Sequence, residues 1–264
     1  ARLDKAGERV PCAQGVSVSQ IEYSGRPALD FLPEDPRPGA ILFFHGGGYI
    51  LGSPQSHKPF ISKLSAALNL RAIAPDYRLA PEHVFPAAIE DGIDALKRLR
   101  SETDGPLLVA GDSAGGGLTL ASVIAHREAG RSMPDALYLM SPWSDLTASG
   151  DSTRTCAHAD PMLKPDYLAR GAELYLDGAD PAAPAASPLF ADLKGLPPTL
   201  IQVGAREILL DDSRRLAAAL EQAGVAVRCE VWEEMFHDFQ LFSPILPEAD
   251  AALVHVANWA RDHL

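Results

Sequence analysis

The stretch LLVAGDSAGG, residues 107–116, decides the fold of this chain. Four apolar residues lead into Gly-Asp-Ser-Ala-Gly, and small and apolar residues at helical spacing continue from Leu118. The pattern predicts a strand, a sharp turn and a helix, with Ser113 at the apex of the turn. The flanking glycines fit such a turn because a Cβ there would collide with the neighbouring strand and helix.

A serine at this apex can do chemistry. The turn holds its Oγ beyond the carboxyl end of the strand, and the N–H of Ala114 points the same way from the start of the helix. A nucleophile then lies beside a donor that can stabilise developing negative charge. Because the Gly-x-Ser-x-Gly pattern is short, a glycine-rich turn without chemistry is the alternative, and the rest of the chain has to decide between them.

Composition narrows the class of protein. The chain has 264 residues, of which 47% are hydrophobic, enough for one large α/β domain or two small ones. A net charge of −12 without a Lys/Arg cluster argues against nucleic acid or an anionic membrane as partner. Three scattered cysteines suggest neither a disulfide framework nor a metal site, and no apolar run reaches transmembrane length. We therefore expect a cytoplasmic protein without a membrane anchor.

Strand and helix patterns alternate along most of the chain. Apolar or alternating runs of strand length occur at residues 16–21, 28–32, 40–44, 71–74, 107–110, 136–140, 199–203 and 227–232. Helical patterns occupy residues 56–70, 84–100, 211–223 and 248–264, besides the stretch after Ser113. The first two strands read as an antiparallel hairpin, and the later alternation predicts βαβ units, a mostly parallel sheet and one domain over residues 1–264.

One segment interrupts this alternation. Almost sixty residues separate the strand that ends near Met140 from the strand that begins near Thr199, too many for a simple crossover. Residues 165–176 have a helical pattern within it. We interpret residues 147–187 as a cap inserted over the carboxyl ends of the strands, with an irregular surface excursion as the alternative.

Two further features favour a hydrolytic role for Ser113. The run HGGG at residues 45–48 follows an apolar strand, and its glycines let the backbone aim N–H groups into a site. A phosphate-binding loop is the rival, but neither a Gly-Lys-Ser/Thr sequence nor a completed Gly-x-Gly-x-x-Gly motif follows. His237 lies in the loop after the last predicted strand, where the chain order serine, acid, histidine places the base.

The acid of such a triad should follow the strand at 199–203. Glu207 lies in the loop nearest the end of that strand and is the predicted acid. Asp211 is the alternative, although Asp211 and Asp212 look like residues that begin a helix.

Four ordered motifs resemble those of the bacterial hormone-sensitive-lipase-like esterases, a branch of the α/β-hydrolases: HGGG at 45–48, DYRLAPE at 76–82, GDSAGG at 111–116 and the C-terminal region with Glu207 and His237. The resemblance runs from about residue 16 to the end. It implies an α/β-hydrolase fold, with a mostly parallel eight-stranded sheet flanked by helices and a helical cap. It also implies a serine carboxylesterase with the triad Ser113, Glu207 and His237, although the family usually has Asp at the position of Glu207.

The resemblance has further implications for the site. It implies an oxyanion hole formed by the N–H groups of Gly47, Gly48 and Ala114, short- to medium-chain acyl esters as substrates, and no metal or cofactor. Trp143, just after a strand end, is expected to line the acyl pocket. Lactone or aryl-amide hydrolysis is the alternative activity. A non-catalytic receptor of this fold is disfavoured because such relatives lack the catalytic histidine, whereas His237 is present.

Two expectations concern the rest of the molecule. The family usually has N-terminal cap helices, so residues 1–15 and residues upstream are expected to form an N-terminal part of the cap, incomplete here. Family members commonly dimerise through the last strand and the final helix. Residues 227–232 would be an edge strand in need of protection, so a homodimer is expected.

Overall fold

The computed structural model of the chain describes residue 4 and residues 10–264. Its strands form one sheet in the order β1-β2-β4-β3-β5-β6-β7-β8. They are β1 Val16–Tyr23, β2 Arg26–Pro33, β3 Ala40–Phe44, β4 Arg71–Pro75, β5 Leu107–Asp112, β6 Ala136–Met140, β7 Thr199–Gly204 and β8 Val227–Trp232. The β1–β2 and β2–β4 pairs are antiparallel and the other neighbours are parallel. The predicted mostly parallel eight-stranded sheet is confirmed.

Helices connect the parallel strands. They are α1 Pro54–Leu68, α2 Ala87–Glu102, α3 Ala114–Glu128, α4 Ser152–Thr155, α5 Pro165–Leu176, α6 Leu210–Gln222 and α7 Pro247–Ala260, with short 3₁₀ turns at Pro188–Phe190 and Phe239–Phe242. The predicted bounds hold to within about three residues at most ends. The final helix stops at Ala260 and not at the predicted Leu264.

Both faces of the sheet are covered. In β3, Ile41 and Phe43 belong to the buried cluster that includes α1 and α7, whereas Leu42 and Phe44 belong to the cluster on the opposite face, which includes α2 and α3. Successive side chains of a strand point to opposite faces. A strand covered on both sides therefore has no polar position, which explains the uninterrupted apolar run.

The segment between β6 and β7 is packed onto the domain. The Leu146 N–H donates to the Ser187 hydroxyl at 2.7 Å, so the segment leaves the domain and returns at one point. Within it, the Tyr175 ring of α5 stacks on the Tyr49 ring with centroids 3.9 Å apart and planes 6° from parallel. The segment is therefore packed on the domain, and its role as a cap stays a prediction. Residues 1–3 and 5–9 of the expected N-terminal part lie outside the described residues.

Among the described residues, no helix combines the length and the apolar character that crossing a bilayer requires. The three cysteines, Cys12, Cys156 and Cys229, are free thiols. The cytoplasmic location stays a prediction.

Candidate active site

Ser113 stands at a strained turn between β5 and α3. Its φ of 52° and ψ of −120° are sparsely populated for a residue with a Cβ, at a cost on the order of 1–3 kcal/mol. Two backbone hydrogen bonds hold it, from the Ser113 N–H to the Met140 carbonyl at 2.8 Å and from the Trp143 N–H to the Ser113 carbonyl at 2.9 Å. The strand, turn and helix lie where the sequence predicts them.

The glycines beside Ser113 are required by close packing. A Cβ on Gly115 would collide with the carbonyl oxygen of Phe44, at the end of β3. A Cβ on Gly111 would collide with the carbonyl oxygen of Gly115. Only glycine, which has no Cβ, therefore fits at positions 111 and 115, and this allows α3 to begin directly above the sheet.

The loop at residues 45–52 lies beside this turn. The Gly46 N–H donates to Oδ1 of Asp112 at 3.0 Å, which ties the loop to the nucleophile strand. Gly47 and Gly48 have φ values of 123° and 64°, in the region that favours glycine. Within the described part of the chain, the N–H groups of Gly47, Gly48 and Ala114 donate no hydrogen bond. They are therefore available to an oxyanion.

His57 is a buried histidine that supports the same loop through Asp112. Nε2 of His57, in α1, lies 3.1 Å from Oδ2 of Asp112. Burial by itself lowers the pKa of His57, but the Asp112 carboxylate outweighs burial and leaves the pKa raised. His57 and Asp112 therefore form an ion pair, and Asp112 joins α1, the loop and the turn of Ser113.

Glu207 is the carboxylate that meets His237. Its Oε1 lies 3.6 Å from Nδ1 of His237. Its Oε2 accepts hydrogen bonds from the Ser141 hydroxyl at 2.8 Å and from the Gly204 N–H at 3.2 Å. These two bonds orient the glutamate toward the histidine.

Asp211, the alternative acid, has different partners. Its Oδ2 accepts the Ser152 N–H at 2.8 Å, and its own N–H donates to the Ser152 hydroxyl at 2.9 Å. Asp211 thus connects α6 to α4 of the inserted segment, so its place in the first turn of a helix directs it away from the base.

A second carboxylate touches the ring of His237. Oδ2 of Asp238 lies 2.9 Å from Nε2. Burial by itself lowers the pKa of His237, but Asp238 and Glu207 together raise it well above its ordinary value. Burial raises the pKa of Asp238 to about 7. The histidine ring therefore lies between two acids, one on each nitrogen.

Trp143 lies between the glycine loop and the inserted segment. Its side chain is buried, and its ring is 3.9 Å from where a Cβ of Gly48 would be and 3.5 Å from where a Cβ of Gly171 in α5 would be. This position is compatible with a wall of an acyl pocket.

Sequence reasoning did not assign roles to His57, Ser141 or Asp238. Ser141 follows β6 directly, and its hydroxyl also accepts the Asp238 N–H at 3.3 Å. An acidic residue adjacent to the predicted base was a signal for Asp238. A histidine 55 residues before Asp112 offered no local signal.

Comparison with known proteins identifies the fold family of this chain. A family profile described as the α/β hydrolase fold matches residues 41–241. An acetyl-hydrolase of Streptomyces hygroscopicus is 46% identical over 215 residues, which cover 81% of this chain and 72% of that protein.

Solved structures agree as well. EstE7, a hormone-sensitive-lipase homologue from a metagenome library, superimposes with a TM-score of 0.96 at 39% identity, covering 99% of this chain and 91% of that one. The esterase EstE5, soaked with p-nitrophenyl butyrate, gives a TM-score of 0.93 at 43% identity over 99% of this chain and 90% of that one.

These matches define the class of protein. The chain belongs to the α/β-hydrolase family, in its bacterial hormone-sensitive-lipase-like branch. It is a carboxylic ester hydrolase.

Proposed function

We propose that the chain hydrolyses short- to medium-chain acyl esters through an acyl-enzyme on Ser113, with His237 as base and Glu207 as the acid that orients it. The observation that carries this proposal is the connection between the two halves of the site. The Ser113 N–H donates to the carbonyl of Met140. The hydroxyl of Ser141, which follows Met140, donates to Glu207 and accepts the N–H of Asp238, the neighbour of His237. The nucleophile and the base therefore belong to one hydrogen-bonded edge of the sheet.

The mechanism follows from the roles of these groups. Oγ of Ser113 attacks the ester carbonyl carbon while Nε2 of His237 takes the hydroxyl proton. The N–H groups of Gly47, Gly48 and Ala114 stabilise the oxyanion. The intermediate collapses, the alcohol leaves with the proton from His237, and a water molecule activated by the same base then releases the carboxylic acid.

Glu207 takes the role that aspartate has in most relatives. Its contact with Nδ1 of His237 fixes the tautomer and stabilises the imidazolium that forms during attack. The longer side chain is held by Ser141 and Gly204, so the extra methylene does not leave the carboxylate loose. The present Nδ1–Oε1 separation of 3.6 Å is within the range of free enzymes, in which catalytic hydrogen bonds are often long.

Substrate size is proposed from the inserted segment at residues 147–187, which we propose acts as the cap. A Cβ on Gly171 would lie 3.3 Å from the Gly48 carbonyl oxygen, so α5 packs directly on the oxyanion loop. Trp143 fills the space beside it and is proposed as the wall of the acyl pocket. A relative named as an acetyl-hydrolase and an esterase soaked with a butyrate ester support small acyl groups.

The test is hydrolysis of p-nitrophenyl esters from acetate to palmitate by the wild type, Ser113→Ala and the control Ser101→Ala, an exposed serine of α2. We expect activity to peak at short chains, to vanish in Ser113→Ala and to persist in the control. A fluorophosphonate should label the wild type once, on Ser113, as read by peptide mass spectrometry. Labelling elsewhere, or an active Ser113→Ala variant, contradicts the proposal.

We further propose a homodimer through β8 and α7. β8 is an edge strand of the sheet, and Val254 on α7 is 57% exposed. Light scattering at micromolar concentration should give twice the chain mass of 28.2 kDa, and a value near one chain mass contradicts the dimer.

A further inference from the structure

The ring of His237 is unequally held by its two carboxylates. Nε2 lies 2.9 Å from Oδ2 of Asp238, whereas Nδ1 lies 3.6 Å from Oε1 of Glu207. Within the described residues, Nδ1 of His237 and Oε1 of Glu207 both lack a hydrogen-bond partner although both are buried. These two groups fit one another but lie just beyond hydrogen-bonding distance.

Ser141 connects the Glu207 carboxylate to the backbone of Asp238. The Ser141 hydroxyl donates to Oε2 of Glu207 and accepts the N–H of Asp238. Asp238 itself has a φ of 53°, which directs the chain into the 3₁₀ turn that follows. The imidazole ring therefore has a carboxylate within reach of each of its nitrogens.

The nitrogen that Asp238 engages is the one that catalysis needs. A base for Ser113 must present the lone pair of Nε2 to Oγ. An imidazolium whose Nε2–H faces Asp238 has no lone pair there.

We propose that Asp238 is a positioning residue that holds His237 as an imidazolium in the free enzyme, and that losing the Nε2 proton to solvent lets Nε2 turn to Ser113 while Nδ1 closes its hydrogen bond to Glu207. The proposal rests on the triad proposed above. One proton leaves Nε2 for water, and the proton on Nδ1 stays and is donated to Glu207. Asp238 thereby sets the pH above which the base is available.

Charged groups on several elements act on this pair. Glu207 faces the ring from the loop after β7. Asp112 of β5 acts on Asp238, and Asp238 in turn raises the pKa of His57 of α1 and of Tyr138 of β6. The Asp112 carboxylate opposes ionisation of Asp238 and the His57 cation favours it. Asp238 is the carboxylate at Nε2 itself, and its ionised form is favoured by His237, so its removal should change His237 most at that nitrogen.

The experiment compares Asp238→Asn with the wild type in the pH profile of kcat/KM for p-nitrophenyl acetate. Asparagine has nearly the same shape and tolerates a positive φ, so it removes the charge and keeps the turn. Without the anion the imidazolium is less stable, so we expect the acidic limb to move down by about one pH unit or more. The control is Asp91→Asn, which removes a buried carboxylate that pairs with Arg78 and should leave the limb in place.

A second measurement does not depend on turnover. In a Ser113→Ala background, NMR titration of ¹⁵N-labelled histidines should show His237 deprotonating at lower pH once Asp238→Asn is added, with the resonance assigned by His237→Gln. If Asp238→Asn does not fold, Asp238→Gly keeps the positive φ and replaces it.

An unchanged titration of His237 together with an unchanged acidic limb overturns the role of Asp238. An active Ser113→Ala variant overturns the triad instead, and the NMR titration remains readable in that case. The two failures are therefore distinguishable.

Discussion

His57 and His237 are two buried histidines that each contact a carboxylate, and their bonding differs. His57 has both nitrogens engaged: Nε2 with Asp112 at 3.1 Å, and Nδ1 at 3.2 Å from the Ser53 carbonyl oxygen and 2.9 Å from the Ser56 hydroxyl. His237 has one nitrogen against Asp238, and its other nitrogen has no hydrogen-bond partner among the described residues.

This difference in bonding fits a structural role for His57 and the proposed catalytic role for His237. A histidine with every nitrogen bonded and an anchored acid beside it has no reason to move, and it transmits rigidity to the loop that its acid holds. A histidine with a choice between two acids can change partner at low cost. The two pairs thus use the same residue types for opposite purposes.

The largest effect should come from removing the base. His237→Gln should lower kcat by on the order of 10⁵-fold, because a triad histidine acts together with its nucleophile as one unit. Stopped assays with p-nitrophenyl acetate at high enzyme concentration measure the residual rate. A loss under tenfold would remove His237 from the triad and with it the contrast to His57.

Replacing the acid should have the next largest effect. Glu207→Gln should lower kcat by on the order of 10⁴-fold because the imidazolium loses its charge partner. Asp211→Asn, which changes only the bond to Ser152, should stay within about threefold of the wild type in kcat, since surface or anchoring carboxylates do not act on the transition state. The reverse ranking in steady-state kinetics would make Asp211 the acid.

Replacing His57, which holds the glycine loop through Asp112, should have a smaller effect on kcat. His57→Gln should lower kcat by about 10–100-fold with KM within about threefold, because displaced oxyanion donors act in the transition state and not on bound substrate. Active-site titration with a fluorophosphonate corrects for any unfolded fraction. If KM rises and kcat is preserved, His57 supports the substrate pocket and not the oxyanion loop.

The smallest effect should be on thermal stability, at Asp212, a buried carboxylate that does not contact a histidine. Asp212 accepts the Ser144 and Asp145 N–H groups, and burial raises its pKa to about 8. Between about pH 4 and pH 8, Asp212 therefore keeps its proton in the folded state but loses it in the unfolded state. The free energy of unfolding consequently falls as the pH rises through that window. Asp212→Asn removes the penalty and keeps both acceptor bonds, so its Tm at pH 8.5 should exceed that of the wild type by about 2–4 °C. Equal Tm values at pH 5 and pH 8.5 in both proteins would contradict this account.

The contrast between the two histidines also marks the limit of sequence reasoning. The position of His237 beside a carboxylate was predictable because it depends on chain order and on a loop that follows a strand. His57 was not, since its partner Asp112 lies 55 residues away and nothing in the local pattern of α1 announces it. Asp238 is adjacent to His237, yet its contact with Nε2 depends on the backbone turn at φ 53°.

The sequence by itself determined the eight-stranded sheet, the turn at Ser113 and the glycine loop after β3. These features depend on hydrophobic periodicity and on positions where only glycine fits, and both are local properties of the chain. Only the tertiary structure showed which of Glu207 and Asp211 lies beside His237, because their spacing from β7 permits both and the direction of the first turn of α6 sends Asp211 to Ser152. It also decided which carboxylate each histidine meets, because a side chain finds its partner only after distant loops have closed.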